Sequence, residues 1–485
     1  MNKWLYVSLL TGLILSGCAK DQVQVESQVM LPLQFDQTDM AKGSAEIAQW
    51  WQNWNDPVLN RLIEQGLTTN HELKVALENL QAARSTTQLA EADLKPALGA
   101  NAGVSAHQFQ LDNPLNSDVK NVLSQLGSSL GDDNFNFNGH AQHMGFIASW
   151  ELDIFGQKKS DVDAARYASL ATMQQWYGAQ MLVASDIAQN YFTVRSLQQR
   201  IKIGDHTVAT LQQLKRYAQG RFRAGQITDY DVKDVDAKLT AVQAQLATLQ
   251  AQADAYQRNI AVLTGQVPQG FKLAASPQNI LQHIPAPPQG QRPLQILNRR
   301  PDIQAKQAVV QAYSAKRASA QADLLPRFNM QFFWQTGQLS LDSDLPDLKG
   351  YGGLVSAGMT LPIFTAGRIH HNIEISDHRL QAALADYDHA VLKALAEVDS
   401  SYQLQFALSR QNLLLAQALH KANQQAKDAS TLYRYGQMTL DRALSARLTA
   451  NELADKQVQG KLAQAQNLLD LYKTLGGGWQ STQSD

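Results

Sequence analysis

The sequence predicts a mixed fold, with four membrane-crossing β-strands per chain joined to long paired α-helices in an internal two-fold repeat. Three observations carry that expectation. Four segments alternate apolar and polar residues over about ten positions each, the length a tilted strand needs to cross a bilayer. A helical pattern runs without a decisive break from about Gln157 to Phe222. The same short motifs also return in the same order in both halves of the chain.

The elements follow in chain order. Lys3 and an apolar run from Trp4 to about Leu15 form a targeting signal too short to span a bilayer as a mature helix. The chain's only cysteine ends it, in Leu15-Ser16-Gly17-Cys18, which resembles the lipobox of bacterial lipoproteins. Residues 1–17 are therefore expected to be a signal peptide and 18–55 a segment anchored by lipid on Cys18. Several acyl chains on one residue anchor stably where one is marginal. Ala19, rather than Asp, follows the cysteine and points to outer-membrane sorting by resemblance to the enterobacterial pattern.

The first repeat is expected over 56–265, with strands at about 98–109 and 140–152 and a helical hairpin tip near Gly225. Ala100, Ala102, Val104 and Ala106 alternate with polar or small residues, as do Met144, Phe146, Ala148 and Trp150. The polar stretch from about Leu111 to Asn138 reads as an outward loop. After the tip, Leu239, Val242, Leu246, Leu249, Ala253, Tyr256, Ile260 and Leu263 form a heptad seam. A Pro/Gly/Gln-rich linker or small irregular segment fills 266–296.

The second repeat is expected over 297–476, with strands at about 327–337 and 351–362, a tip near Gly436, and a tail at 477–485. Phe328, Met330, Phe332 and Trp334 give one apolar stripe, and Val355, Ala357, Met359 and Leu361 the other. Arg221-Phe222-Arg223-Ala224-Gly225-Gln226-Ile227-Thr228 matches Leu432-Tyr433-Arg434-Tyr435-Gly436-Gln437-Met438-Thr439, an offset of 436 − 225 = 211. Leu94-Lys95-Pro96 likewise pairs with Leu324-Leu325-Pro326.

Composition narrows the function. A net charge of −1 gives no electrostatic ground for nucleic-acid binding. No Walker A, dinucleotide-binding or His-Glu-x-x-His pattern is present, so no enzyme activity is expected, and no cofactor beyond the lipid on Cys18. His371, Glu374 and His378 share a helical face, but without a Met or Cys cluster a polar helix face explains them better than a metal site. A coiled-coil scaffold would explain the heptads but not the strands. Four strands cannot close a membrane barrel, and lipid tolerates no open sheet edge, so membrane strands here require partner chains.

On these residues the sequence resembles the TolC-type outer membrane factors, in the NodT-like lipoprotein branch. Trp50-Trp51, Trp54, Asp56-Pro57, Leu59 and Leu62 match that family's N-terminal signature, and Arg299-Arg300-Pro301-Asp302-Ile303 the motif opening its second half. The resemblance implies a homotrimer with one twelve-stranded barrel and a periplasmic α-helical coiled-coil barrel beneath it. It implies a passive efflux conduit in the outer membrane, serving multidrug resistance or other export. Its partners would be a periplasmic adaptor (membrane fusion protein) and an inner-membrane pump of the RND class. Gly225 and Gly436 would mark the periplasmic tips where the adaptor docks. Asp231 and Tyr433 match gate residues of the family. Met438 stands where the best-known member has a basic residue, and Arg442 where it has a carboxylate, so Arg442 is expected to supply the lost charge and to pair with Asp231 or Asp441.

Overall fold

The computed structural model describes residues 28–36, 41–128, 132–276, 278–341 and 347–479. Cys18 and the expected signal peptide lie outside them. The first half contains α1 (Pro57–Thr69), α2 (His71–Ala92), β1 (Ala97–Asp112), α3 (Ser117–Gln125), β2 (Asn134–Leu152), α4 (Gln157–Arg223) and α5 (Asp229–Leu263). The second contains α6 (Pro293–Arg299), α7 (Pro301–Ala322), β3 (Arg327–Leu341), β4 (Leu348–Thr360), α8 (Arg368–Arg434) and α9 (Leu440–Thr474). No described helix is long and apolar enough to cross a membrane.

The repeat extends to helix lengths. α2 and α7 each have 22 residues, α4 and α8 each 67, and α5 and α9 each 35. The first pair is offset by 301 − 71 = 230, the other two by 368 − 157 = 440 − 229 = 211. The difference falls in the intervening strands and loop, which are longer in the first repeat. At about 1.5 Å per residue, α4 and α8 are each on the order of 100 Å long.

The chain divides into two compact units. The first holds Ser85–Arg166 and Ala312–Leu380, centred on a four-stranded antiparallel sheet of order β1-β2-β3-β4. β1 and β2 run further than the alternation suggested. Apolar and polar residues still alternate as the ladder continues through Phe109↔Phe137, Gln110↔Asn136 and Leu111↔Phe135 to Asp112↔Asn134, and the Asn-rich composition of this stretch hid the strand. β4 ends at Thr360, two residues before the expected limit, since Pro362 has no N–H to donate to a ladder. The first polar loop is accordingly shorter than expected and contains α3, which the sequence reading missed. Asn116 caps α3 by accepting the Val119 N–H at 2.9 Å.

The second unit holds the described residues within 28–84, 167–311 and 381–479. Its core joins the N-terminal Trp50, Trp51 and Trp54 to Ile187, Tyr191 and Phe192 of α4 and Leu468, Leu471 and Tyr472 of α9. Trp50 stacks on Tyr472 with ring centroids 5.5 Å apart. Asp56 explains why the signature matters. It caps α1 by accepting the Val58 N–H at 2.8 Å, and its other oxygen accepts the hydroxyls of Tyr191 at 2.8 Å and Ser276 at 2.9 Å. One buried carboxylate thus ties α1, α4 and the linker together. The linker also packs Ile280 and Leu281 into this core and gives its Pro288 carbonyl to the Tyr402 hydroxyl at 2.7 Å.

Arg300 and Asp302 serve the second repeat in the same way. The buried Arg300 guanidinium forks onto Asp302 at 2.7 and 3.0 Å and reaches Glu397 of α8 at 2.9 Å. Burial opposes ionisation of Asp302, but the Arg300 fork outweighs it and holds the carboxyl below its usual range.

Candidate functional site

The sheet is the first feature of functional interest. Directly opposed residues of antiparallel strands share a face. The register sets Ala102 against Met144, Ala100 against Phe146, Phe146 against Trp334, and Trp150 against Met330. It continues with Phe332 against Val355 and Phe328 against Met359. All four stripes read from the sequence therefore lie on one face, and Leu361 alone falls beyond its strand. This face is bare: Val104 is 78%, Val355 69% and Met359 61% exposed. The opposite face carries Asn101, Gly103, Ser105, His143, Gly145, Asn329, Gln331 and Gln335, interrupted by the apolar row Ile147, Phe333 and Leu354. One apolar face left bare and one mostly polar face is the alternation that strands of a membrane barrel carry. Within one chain β1 and β4 each leave one edge unpaired.

The two helix turns are the second feature. Gly225 and Gly436 have φ of +70° and +74°, and no atom lies within 4 Å of where a Cβ would sit. Glycine is needed there for its backbone conformation, not for space. Both turns close identically. Gly225 donates to the Phe222 carbonyl at 2.9 Å and Gln226 to that of Arg221 at 2.9 Å; Gly436 and Gln437 donate to Tyr433 at 3.0 Å and Leu432 at 2.9 Å. This is a Schellman ending.

The chemistry beyond each turn differs. Asp231 is the third residue of α5, and its carboxylate accepts the Thr228 hydroxyl at 2.8 Å and the Thr228 N–H at 2.9 Å. Those bonds hold its pKa below the usual range. The position equivalent to Asp231, 211 residues on, is Arg442. Thr439 there makes no side-chain cap, and a cation sits at the positive end of the helix dipole. The expected partners of Arg442 are engaged elsewhere within the chain: Asp231 with Thr228, and Asp441 with Arg221 at 4.0 Å. Arg442 instead lines an open groove between α8 and α9 with Lys421, Asp428, Leu432 and Met438.

Tyr433 borders a different cavity, of about 1000 Å³, between α4, α8 and α9. Its charged neighbours are Arg216, Arg434 and Arg447, with no carboxylate among the lining residues. The sequence reading missed Arg221 and these arginines. In the sequence Arg221 and Arg434 are legible only as repeat positions, and nothing local marks Arg221 as a partner of Asp441.

The His371 Nδ1–H donates to the Glu374 carboxylate Oε2 at 2.9 Å, and His371 lies beside Arg327 and Arg368. His378 does not line that groove, and among the described residues no three His, Cys, Asp or Glu side chains are grouped to hold a metal.

Comparison with known proteins agrees with this geometry. The model of the family described as outer membrane efflux protein matches residues 62–266 and 293–477, one segment in each repeat. The pyoverdine export outer membrane protein OpmQ of Pseudomonas aeruginosa is 26% identical, covering 98% of this chain and 97% of its own. The cation efflux system protein CusC of Escherichia coli is 24% identical, covering 97% of each. Among solved structures, the outer-membrane channel OprN has a TM-score of 0.78 at 25% identity, covering 94% of this chain and 98% of its own. The open state of the Neisseria gonorrhoeae MtrE outer membrane channel has a TM-score of 0.75 at 22% identity, covering 93% and 96%. With both repeats matched and nearly the whole chain aligned, this chain belongs to the outer membrane efflux protein family.

Proposed function

We propose that the chain is the trimeric outer-membrane conduit of a tripartite efflux system, anchored by lipid on Cys18. Its role is passive export, not catalysis. A periplasmic adaptor and an inner-membrane pump of the RND class would deliver the solute and the energy. The observation that carries this is the register: four apolar stripes fall on one bare face of a sheet with two free edges. A bilayer covers such a face, and only further copies can satisfy the edges. Three chains would supply twelve strands, enough for a barrel with an open lumen.

The relatives' names support a conduit that does not choose its solute. OpmQ is named for pyoverdine, TtgC of Pseudomonas putida for toluene and CusC for cations, at 26%, 26% and 24% identity to this chain. Solutes so unlike one another share no recognition chemistry, so choice belongs to the pump. A deletion strain should become sensitive to the pump's substrates, and complementation should restore resistance only when the cognate adaptor is present. Restoration without any adaptor would indicate a stand-alone porin instead.

The gate reading places Tyr433, Asp231, Asp441 and Arg442 at the closed periplasmic tip, with adaptor docking around Gly225 and Gly436. Within one chain Arg442 meets neither Asp231 nor Asp441, so its partner in the closed tip would be a carboxylate of a neighbouring copy, and reversing its charge would favour the open form. Arg442→Asp should raise permeability to bulky antibiotics in cells lacking the pump, and unchanged permeability would remove Arg442 from the gate.

A further inference from the structure

The cavity of about 1000 Å³ between α4, α8 and α9 has a charge pattern that passive export does not require. Three helices each bring one arginine to its lining: Arg216 from α4, Arg434 from α8 and Arg447 from α9. Thr210, Tyr217, Ser430 and Tyr433 add hydroxyls, and no carboxylate is among the lining residues.

Neighbouring grooves on the same helices balance their charges. Arg200 and Lys238 share one with Glu452 and Asp455, and Lys421 and Arg442 share another with Asp428. The arginines of this cavity have no such company. Among the described residues Arg216 and Arg447 make no ion pair and no side-chain hydrogen bond, and Arg434 donates only to the Thr431 hydroxyl, at 3.3 Å. The repeat shows that the imbalance is local. The counterpart of Arg447 is Asp236 (447 − 211 = 236), which pairs with Lys215.

Three like charges around one hollow repel one another, and an anion inside relieves that repulsion. A cleft of one sign between walls of low dielectric also concentrates the opposite ion. Guanidinium groups fork onto phosphate and carboxylate oxygens, and hydroxyls can donate to the same oxygens. The arginines come from three separate helices, and the volume is that of a small-molecule site, well beyond one phosphate group. The fitting ligand therefore carries several anionic groups.

We propose that this cavity binds a compact polyanion, bearing two or more phosphate or carboxylate groups, that bridges α4, α8 and α9. Tyr433 and Arg434 lie in the last turn of α8 before Gly436, so the bound polyanion ties the end of that helix to its neighbours and restrains the second tip. The site stands whether or not the chain is an export conduit.

Calorimetric titration of the purified protein in its native assembly, at low salt, tests this with inorganic tripolyphosphate and, separately, citrate. Tripolyphosphate should bind saturably, and Arg216→Gln and Arg447→Gln should each weaken it about tenfold or more. Lys421→Gln, in the charge-balanced groove, should leave it unchanged. Citrate binding at the same arginines would assign recognition to anionic charge in general; tripolyphosphate binding alone would assign it to phosphate. The wild type gives a second readout. Cyclohexanedione modifies exposed arginines, and bound tripolyphosphate should shield Arg216 and Arg447 but not Arg442, as read by mass spectrometry. No saturable binding of either anion, equal weakening in all three variants, or binding that leaves Arg216 and Arg447 unshielded would each overturn the site.

Discussion

A few polar side chains hold long, weakly apolar helices in place. Asp56 is buried with three kinds of donor on it: backbone N–H groups of α1, a tyrosine hydroxyl and a serine hydroxyl. Burial pushes the Tyr191 hydroxyl up to about 12, so it stays a donor throughout the physiological range. Asp56→Ala loses a helix cap and strands two hydroxyls, which should cost about 2–4 kcal/mol, and Asp56→Asn, keeping one acceptor, less. Thermal unfolding of the two variants checks the order. Asp302 gives a pH signature. Its folded pKa lies below the unfolded value, so its contribution is complete above the usual carboxylate range and is lost as pH falls through the depressed value. Melting temperature should therefore drop on acidification more steeply in the wild type than in Asp302→Asn; parallel curves would show that the Arg300 fork carries no net stability.

Among the elements, the two hairpins share lengths and turns but not every packing detail. Gly204 of α4 lies under Leu246 of α5, where an added Cβ would come within 2.3 Å of a Leu246 methyl. In the second hairpin the sizes are exchanged: Leu415 replaces Gly204 by position, and Gly460 of α9 replaces Leu249 and packs near Leu415. Each hairpin keeps one small residue opposite one large one, the condition for close helix approach. Gly204→Leu overfills its interface and should destabilise the protein by about 1–3 kcal/mol, read from denaturant unfolding. The tips respond to backbone strain instead. Gly225→Ala and Gly436→Ala should each cost about 1 kcal/mol from the left-handed φ alone. The second tip, with no cap on α9, should exchange its amide hydrogens faster than the first, and Arg442→Glu, placing an acid at the helix start, should slow that exchange.

On the scale of the whole molecule, the bare sheet face and free strand edges predict obligate assembly. Outer-membrane fractions should yield oligomers that resist mild detergent and shift to monomer on heating. A stable monomeric sheet would contradict the barrel. The core that positions the long helices is made elsewhere, from the N-terminal tryptophans, the middle of α4 and the end of α9. Much of this was legible in the sequence, because period-two alternation, heptad spacing and repeated motifs are local signals. Val104 and Phe332 announced a strand face, and Gly225 and Gly436 announced turns. The short α3 was missed because its cap, Asn116, sits in a stretch whose polar composition suggested only a loop.

By itself the sequence determined the four strands, the long paired helices, the repeat and the family, since each depends on residues close together in the chain. Only the tertiary structure decided which face each stripe shares, because register is set by pairing across strands far apart in sequence. It also decided what the tip charges meet. Asp231 turns back to cap its own helix, Asp441 goes to Arg221, and Arg442 is left facing an open groove. A charge carries no label for its partner, and distance in three dimensions chooses among equal candidates.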